Sequence, residues 1–277
     1  MKKQNNQQGE EEGNEMSFLE HLEALRWHII RSLAAVIILG ITAFFSKEII
    51  FHDIILAPSR PDFWSYRMLC RMGEIMAQPF LCVDKLAFII QSRTLTGQFS
   101  THISVSLVAG FVLAFPYIFW EIWRFVSPGL YPRERAMTRG AVLFVSILFF
   151  LGISFGYWIM APLSINFLAS YQIDPSIANE IDLMSYIENL MMMVLSCGLI
   201  FQLPMVILVL SKAGIVGAQF LRTYRRHAIM VIVIIAAFLT PSPDFFSLAV
   251  VALPMYLLYE MSILLAAREE KRQARAS

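Results

Sequence analysis

The 277-residue chain is 57% hydrophobic and only 16% charged, whereas soluble globular domains carry about 25% charged residues. A soluble fold of this size could not bury so much apolar surface, so the composition excludes an ordinary soluble domain and predicts an integral membrane protein. The formal net charge of +1 gives no indication of partners, because opposite charges along the chain cancel in the sum.

The first predicted element is a polar, low-complexity tail over residues 1–16. It lacks the apolar stretch and cleavage site of a secretory signal peptide, and its composition is typical of a disordered segment. Ser17 and Glu20 follow at the spacing of a capping box, which predicts a helix beginning at Phe18. Apolar residues at spacings of three and four then predict an interfacial helix leading into the first span, with Glu20 and Glu23 off the apolar stripe.

Six transmembrane helices are predicted from apolar runs, since about 20 residues are needed to cross about 30 Å of hydrocarbon. The runs lie at roughly 28–50, 102–123, 140–163, 186–210, 228–239 and 245–267. The breaker TPSPD at 240–244 separates the last two. Because the fifth run is short, it either recruits residues 224–227 or lies where the bilayer is thinner. The predicted fold is an all-α, six-helix membrane domain over residues 17–267.

Orientation follows from the distribution of Lys and Arg near the ends of the spans. The N-terminal region, the 2–3 loop, the 4–5 loop and the basic tail at 268–277 hold four basic residues each, and the opposite 3–4 and 5–6 loops hold none. Both termini are therefore predicted to be cytoplasmic.

The long first outer loop, about 46–101, contains apolar residues at helical spacing over 65–78, which predicts a short surface helix. Cys70 and Cys82 both lie in this loop. An oxidising exterior would allow them to form a disulfide worth roughly 3 kcal/mol by loop entropy, and the alternative is two free thiols. Cys197 lies within the fourth span and is interpreted as a small core residue.

One catalytic pattern is present, because residues 152–156 fit G-x-S-x-G with Ser154 at its centre. A nucleophile elbow needs a strand, a strained turn and a helix, whereas this motif lies within a continuous apolar helix. Gly152 and Gly156 instead have the spacing that lets transmembrane helices approach closely. Helix packing is the favoured interpretation, and an intramembrane hydrolase rests on Ser154 alone. The sequence shows no metal-binding, nucleotide-binding or cofactor motif.

Four polar residues lie within or at the edges of the spans, where ionisable groups by default suggest function. Glu121 and Glu188 are near span ends, and contact with interfacial water is the favoured interpretation of both. Gln202 and Glu260 lie deeper, so function and structural hydrogen bonding are equally supported. Prolines kink the same two segments, which gives some support to a secondary transporter, although no internal repeat is evident.

The 2–3 loop holds a single carboxylate, Glu134, between Arg133 and Arg135 and close to two prolines and a glycine. A carboxylate held by rigid turns can bind a guanidinium through two hydrogen bonds. The pattern alone favours a solvated loop charge.

Five motifs in register resemble the TatC family, the multi-spanning subunit of the twin-arginine protein translocase. They are HLEALR at 21–26, FPYIFWEIWRFVSPGLYPRER at 115–135, FQLPM at 201–205, LTPSPDFFS at 239–247 and LPMYLLYE at 253–260. The resemblance covers nearly all of residues 17–267, and the order of the motifs agrees with the six-segment layout.

This resemblance implies a receptor rather than an enzyme. The family binds signal peptides bearing paired arginines and exports folded proteins across the bacterial cytoplasmic (inner) membrane, using the proton motive force. Its partners are single-span TatA and TatB-type subunits, membrane lipid and further copies within the complex, and neither a cofactor nor a nucleic acid is expected.

By motif match, Glu134 corresponds to the acidic residue that contacts the arginine pair, which reverses the interpretation from pattern alone. The same matched loop contains Phe125, Pro128, Leu130 and Tyr131. Pro58 and Asp244 match positions on which the family relies, Gln202 matches a polar position linked to docking of the single-span subunits, and Glu260 closes the last motif.

The N-terminal motif departs from the family pattern HLxELR, because Ala24 replaces its second acidic residue. Glu23 is rotated by about 100° around the helix relative to that position. The partner of the second arginine is therefore left open, with Glu20 and Glu23 as the available carboxylates.

Overall fold

The computed structural model describes residues 18–76, 88–126, 138–174, 176, 179–212, 214–240 and 245–273. Its helices are α1 (Phe18–Phe45), α2 (Trp64–Met76), α3 (Gly97–Val126), α4 (Thr138–Phe155), α5 (Ala161–Ser170), α6 (Leu183–Ile200), α7 (Leu203–Lys212), α8 (Ala218–Thr223), α9 (Arg225–Leu239) and α10 (Phe245–Gln273). Two π-helical segments, Glu48–Ile55 and Gly156–Met160, a 3-10 turn at Ala57–Ser59, and strands β1 (Ile89–Gln91) and β2 (Glu180–Asp182) complete these elements.

Five helical stretches in the described part of the chain are long and apolar enough to cross a membrane. They are Leu22–Phe45, Gly97–Phe125, Gly140–Ser170, Leu183–Lys212 and Phe245–Lys271. They confirm a polytopic helical membrane protein and five of the predicted runs. The first stretch lies closer to the N-terminus than the predicted run 28–50, because the apolar residues at 48–55 form a π-helix beyond the end of α1.

The fifth predicted segment corresponds to α9, which has 15 residues and at 1.5 Å per residue is about 22 Å long. That length is short of the roughly 30 Å of a hydrocarbon core. The helix begins at Arg225, so it includes three of the four residues, 224–227, that the short apolar run was expected to recruit. A count of six spans therefore stays a prediction.

Glycines set the closest contacts between the helices. A Cβ on Gly110 of α3 would lie 2.5 Å from the backbone nitrogen of Gly40 in α1. A Cβ on Gly152 would lie 2.6 Å from the carbonyl oxygen of Cys197 in α6, and one on Gly156 would lie 2.8 Å from the α6 backbone. The predicted packing role of Gly152 and Gly156 is confirmed.

The helical fold carries one addition that sequence analysis missed, a parallel pairing of β1 with β2 that aligns Ile89 with Glu180. Arg93 reinforces it, with Nη2 placed 3.2 Å from the Glu180 carboxylate. Three-residue strands are too short to show an alternating pattern, and the partners lie about 90 positions apart. This ladder ties the first outer loop to the start of α6.

The helix boundaries can be compared with the local signals at three places. Helix α1 is described from Phe18 onward, and Ser17 lies outside the described residues, so the predicted capping box stays a prediction. Helix α2 falls within the predicted surface helix at 65–78, extended by Trp64. Helix α10 continues to Gln273, which makes the first part of the predicted basic tail helical.

Different residues and elements lie at the two ends of the helix bundle. We call the end that carries His28, Glu121, Arg225 and Glu260 the predicted cytoplasmic face. The end that carries α2 and the β-ladder is the predicted outer face. Antiparallel α1 and α3 connect them, because His28 meets Glu121 at one end and the backbone oxygen of Phe44 meets the ring of His102 at the other.

Candidate functional site

The predicted signal-binding loop lies between α3 and α4, at the predicted cytoplasmic face. Of the predicted site residues, those that lie outside the described residues are Pro128, Leu130, Tyr131, Glu134 and Asp244, together with Cys82 and the side chain of Glu20. The structure describes the base of the site, namely the first turns of α1 and the last turn of α3.

A buried carboxylate forms the centre of this base. Glu121 is only 1% exposed, and His28 Nδ1 of α1 hydrogen-bonds its Oε2 atom. The hydroxyl of Tyr117 lies near the same carboxylate, and Nη1 of Arg124 lies 3.7 Å from Oε1. The prediction that Glu121 reaches interfacial water is therefore wrong. Sequence analysis missed His28 because the two residues are 93 positions apart.

Aromatic rings surround this carboxylate. The guanidinium of Arg124 lies over the Trp120 ring, 5.1 Å from its centroid, in the geometry of a cation–π contact. Phe125 is half-buried, and its ring meets the His28 ring edge-on at 6.0 Å. The last described turn of α3, which precedes residues 127–137 in the chain, is thereby fixed to the first part of α1.

Glu23, the remaining predicted contact on α1, is exposed and lies one turn and a half before His28. Arg26 is also exposed. Glu23 thus faces away from the buried junction and is available to a ligand at the same end of the bundle.

Gln202 lies at the break between α6 and α7. Its amide nitrogen is 3.4 Å from the carbonyl oxygens of Val145 and Gly198, which are long contacts. Its amide oxygen is buried and has no hydrogen-bond partner among the described residues. A buried acceptor without a donor is costly.

Glu260 has structural partners. Arg225, at the start of α9, places Nη2 2.7 Å from its Oε2, and the Tyr256 hydroxyl donates to its Oε1 at 2.9 Å. One helical turn beyond the end of the predicted span, Glu270 accepts from the backbone N–H of Ala218 at 2.7 Å and so caps α8. Of the two interpretations left open for Glu260, its contacts with Arg225 and Tyr256 support structural hydrogen bonding.

Pro58 is buried in the predicted outer face, and its carbonyl accepts a 2.7 Å hydrogen bond from the Tyr66 hydroxyl. Burial raises the pKa of Tyr66, which keeps this hydroxyl a donor. Tyr186 and Tyr157 donate to the neighbouring carbonyls of Ile55 and Ile54 at 2.9 and 2.7 Å. Three tyrosines therefore attach the backbone at residues 54–58 to α2, to the segment Gly156–Met160 and to α6.

One described cysteine of the same outer region is oxidised. Cys70 on α2 is disulfide-bonded, and Cys82, its expected partner, lies outside the described residues. Cys197 is a free, buried cysteine.

The hydrolase alternative finds no support in the geometry. Ser154 lies in the last turn of α4 and lines an apolar cavity of about 720 Å³ with Pro116 and Trp120 among its neighbours. It has no strand-to-helix turn of the kind a nucleophile elbow requires. Within the described ranges, no three His, Cys, Asp or Glu side chains cluster as metal ligands.

Comparison with known families gives one consistent match. The model of the TatC family, described as Sec-independent protein translocase protein (TatC), matches residues 20–254. A Sec-independent protein translocase protein TatC from Blattabacterium sp. subsp. Periplaneta americana (strain BPLAN) is 38% identical over 266 residues, which cover 95% of this chain and 99% of the relative. TatC of Carboxydothermus hydrogenoformans is 34% identical over 256 residues, covering 92% and 94%.

Two solved structures have the same fold. One is a crystal structure of the twin-arginine translocase receptor TatC, with a TM-score of 0.64 and 30% identity over 90% of this chain and 98% of that chain. The other, of the same receptor in DDM, has a TM-score of 0.66 and 29% identity over 89% and 99%.

Proposed function

The chain belongs to the TatC family of Sec-independent protein translocases, and we propose that it is the receptor that recognises twin-arginine signal peptides and forms the core of the translocase. The observation that carries this proposal is the match over nearly the whole chain to relatives and receptor structures of that description. The TatC family is one of translocase components rather than enzymes.

The signal peptide is bound at the predicted cytoplasmic face, with Glu134 as the carboxylate that pairs with a guanidinium of the arginine pair. Carboxylate and guanidinium match in a two-bond geometry, which a lysine ammonium does not reproduce. Phe125, Leu130 and Tyr131 contribute the apolar surface of the same loop. Glu20 and Glu23 are the carboxylates available to the second arginine.

The junction of His28 with Glu121 supports this site by joining its two halves. Helix α1 contributes Glu20 and Glu23, and α3 leads into the 127–137 loop that holds Glu134. Because Glu121 is buried and bonded to His28, the two halves are held in a fixed relation at the base. A receptor that reads two adjacent arginines needs such a relation between its carboxylates.

Gln202 docks a single-span partner subunit of the TatA or TatB type. Its buried amide oxygen lacks a donor among the described side chains, and a polar residue on a partner helix would supply one. Hydrogen bonds between transmembrane helices contribute about 1 kcal/mol each. Export then proceeds with both termini on the cytoplasmic side of the bacterial inner membrane, driven by the proton motive force, within a complex that holds several copies of this chain.

The test of the site replaces Glu134 with alanine and with glutamine and measures export of a folded substrate that carries a twin-arginine signal. Both variants should insert into the membrane at wild-type amounts and lose export, because neither carries the negative charge that binds the guanidinium. Glu48→Ala is the matched control, since Glu48 is an exposed carboxylate at the predicted outer face.

Photo-crosslinking from position 134 separates recognition from later steps. A signal peptide with its arginine pair should crosslink strongly, and one with a lysine pair should crosslink weakly. Equal crosslinking of the two peptides, or normal export by Glu134→Ala, would remove Glu134 from the site.

A further inference from the structure

Helix α2 presents two chemically different faces. Ser65, Tyr66, Leu69 and Gly73 are buried against the protein, whereas Trp64, Arg67, Met68, Arg71 and Ile75 are exposed. At 100° per residue the exposed set falls within about 100° of the helix circumference and lies opposite the buried set. Helix α2 is too short and too polar to span a membrane, yet Ile75 on it is 85% exposed. The exposed face of α2 therefore combines large apolar side chains with two guanidinium groups.

The buried face places α2 at the level where two spans leave the hydrocarbon. Leu69 packs in one cluster with Leu163 and with Phe246, which is the second residue of the span Phe245–Lys271. Trp64 meets the ring of Trp158 edge-on at 5.8 Å. Trp158 lies 18 residues beyond Gly140, about 27 Å along the third span. Tryptophan is enriched at this depth because its ring is apolar and its N–H is polar.

The charges on the exposed face are not used within the protein. Among the described residues, neither Arg67 nor Arg71 has a hydrogen bond or an ion pair. Glu74 is the one exposed acid on α2, and it lies at the edge of the exposed face beside Arg67. The face is therefore net cationic, and its apolar side chains point the same way as Arg71.

We propose that α2 is an interfacial helix whose exposed face binds anionic phospholipid in the leaflet at the predicted outer face. Trp64, Met68 and Ile75 enter the boundary between headgroups and acyl chains, and Arg67 and Arg71 bind the lipid phosphates. This division of roles is typical of helices that lie in the plane of a membrane. The site depends on how the spans cross the bilayer and is independent of signal-peptide recognition.

The size of the effect follows from the two arginines. A basic residue near an anionic membrane surface favours binding about fivefold, so the pair should enrich anionic lipid at α2 by up to roughly thirtyfold over a variant without them. A lysine pair keeps the positive charge and should retain most of the enrichment.

The experiment uses the full chain, reconstituted into phosphatidylcholine vesicles that contain one-fifth phosphatidylglycerol, with a photo-crosslinking residue at position 75. Crosslinked lipid is identified by mass spectrometry. The expected result is crosslinking to lipid with phosphatidylglycerol enriched over its share of the bilayer. Arg67→Gln with Arg71→Gln should return the ratio to that share, and Arg67→Lys with Arg71→Lys should keep the enrichment.

Arg222→Gln with Arg226→Gln is the matched control, because it makes the same change in charge at exposed positions of the predicted cytoplasmic face. It should leave the ratio at position 75 unchanged. Crosslinks to protein in place of lipid would show that another chain covers this face, and an unenriched lipid ratio in the wild-type chain would show that the arginines do not select headgroups. Either result overturns the proposal.

Discussion

The junction between His28 and Glu121 gives the sharpest test of how the N-terminal helix is held. Glu121 is 1% exposed and accepts from His28, whose side chain is 16% exposed, so Glu121→Ala leaves a largely buried ring N–H without its acceptor. Removing a buried carboxylate that accepts a hydrogen bond costs about 3 kcal/mol. At about 2–4 °C per kcal/mol for a chain of this size, the melting temperature should fall by roughly 6–12 °C.

The free thiol of Cys197 supplies the assay. It is buried, so a thiol-reactive fluorophore should label it in detergent only when the helices separate. Glu121→Gln keeps an amide oxygen as an acceptor and should lose less than half of what the alanine variant loses. Glu74→Ala removes an exposed carboxylate and should change the melting temperature little, since such surface substitutions stay within about 0.5 kcal/mol.

A double-mutant cycle decides whether His28 and Glu121 act together. His28→Ala and Glu121→Ala should cost less in combination than the sum of the single changes, with an interaction energy of about 1–3 kcal/mol. Crosslinking of a twin-arginine signal peptide from position 134 should fall in Glu121→Ala and persist in Glu121→Gln. Strict additivity of the two alanine changes would refute the junction as a coupled pair.

Two further changes test the packing of other helix pairs by the same assay. Gly110→Ala places a Cβ 2.5 Å from the Gly40 backbone and should cost about 3 kcal/mol of stability, because overpacking against backbone cannot relax. The control Gly140→Ala meets nothing within 4 Å and should cost nothing. Equal losses of stability in the two variants would contradict the close α1–α3 contact. Glu260→Ala breaks the 2.7 Å contact with Arg225 and should cost only about 1 kcal/mol of stability, because both side chains are partly exposed. A loss as large as that of Glu121→Ala would contradict the expectation that the buried contact is the stronger one.

Sequence patterns predicted the features that depend on neighbouring residues. The length of apolar runs located five spans, and the spacing of Gly152 and Gly156 predicted a close contact that the structure places against α6. Each of these depends on a few residues within one helix, where periodicity and local hydrogen bonding decide the outcome.

Features that join distant segments could not be obtained in this way. No local pattern links His28 to Glu121, and the depth of Glu121 depends on where α1 packs. The apolar residues at 49–51 look like a continuation of the first span, because hydropathy does not distinguish a membrane span from a short segment that tertiary contacts hold against the bundle. In the structure the carbonyls of Ile54 and Ile55 accept from two tyrosines on other helices, which holds this segment against the bundle.

Two carboxylates at the predicted cytoplasmic face already have partners within the protein, and this bears on where recognition can occur. At the predicted cytoplasmic face, carboxylates bind His28, Arg124 and Arg225. Because Glu121 and Glu260 are already paired, an arginine pair would gain little from them. Under the proposed function, the arginine pair therefore binds carboxylates other than these two, and Glu134, Glu20 and Glu23 are the ones proposed.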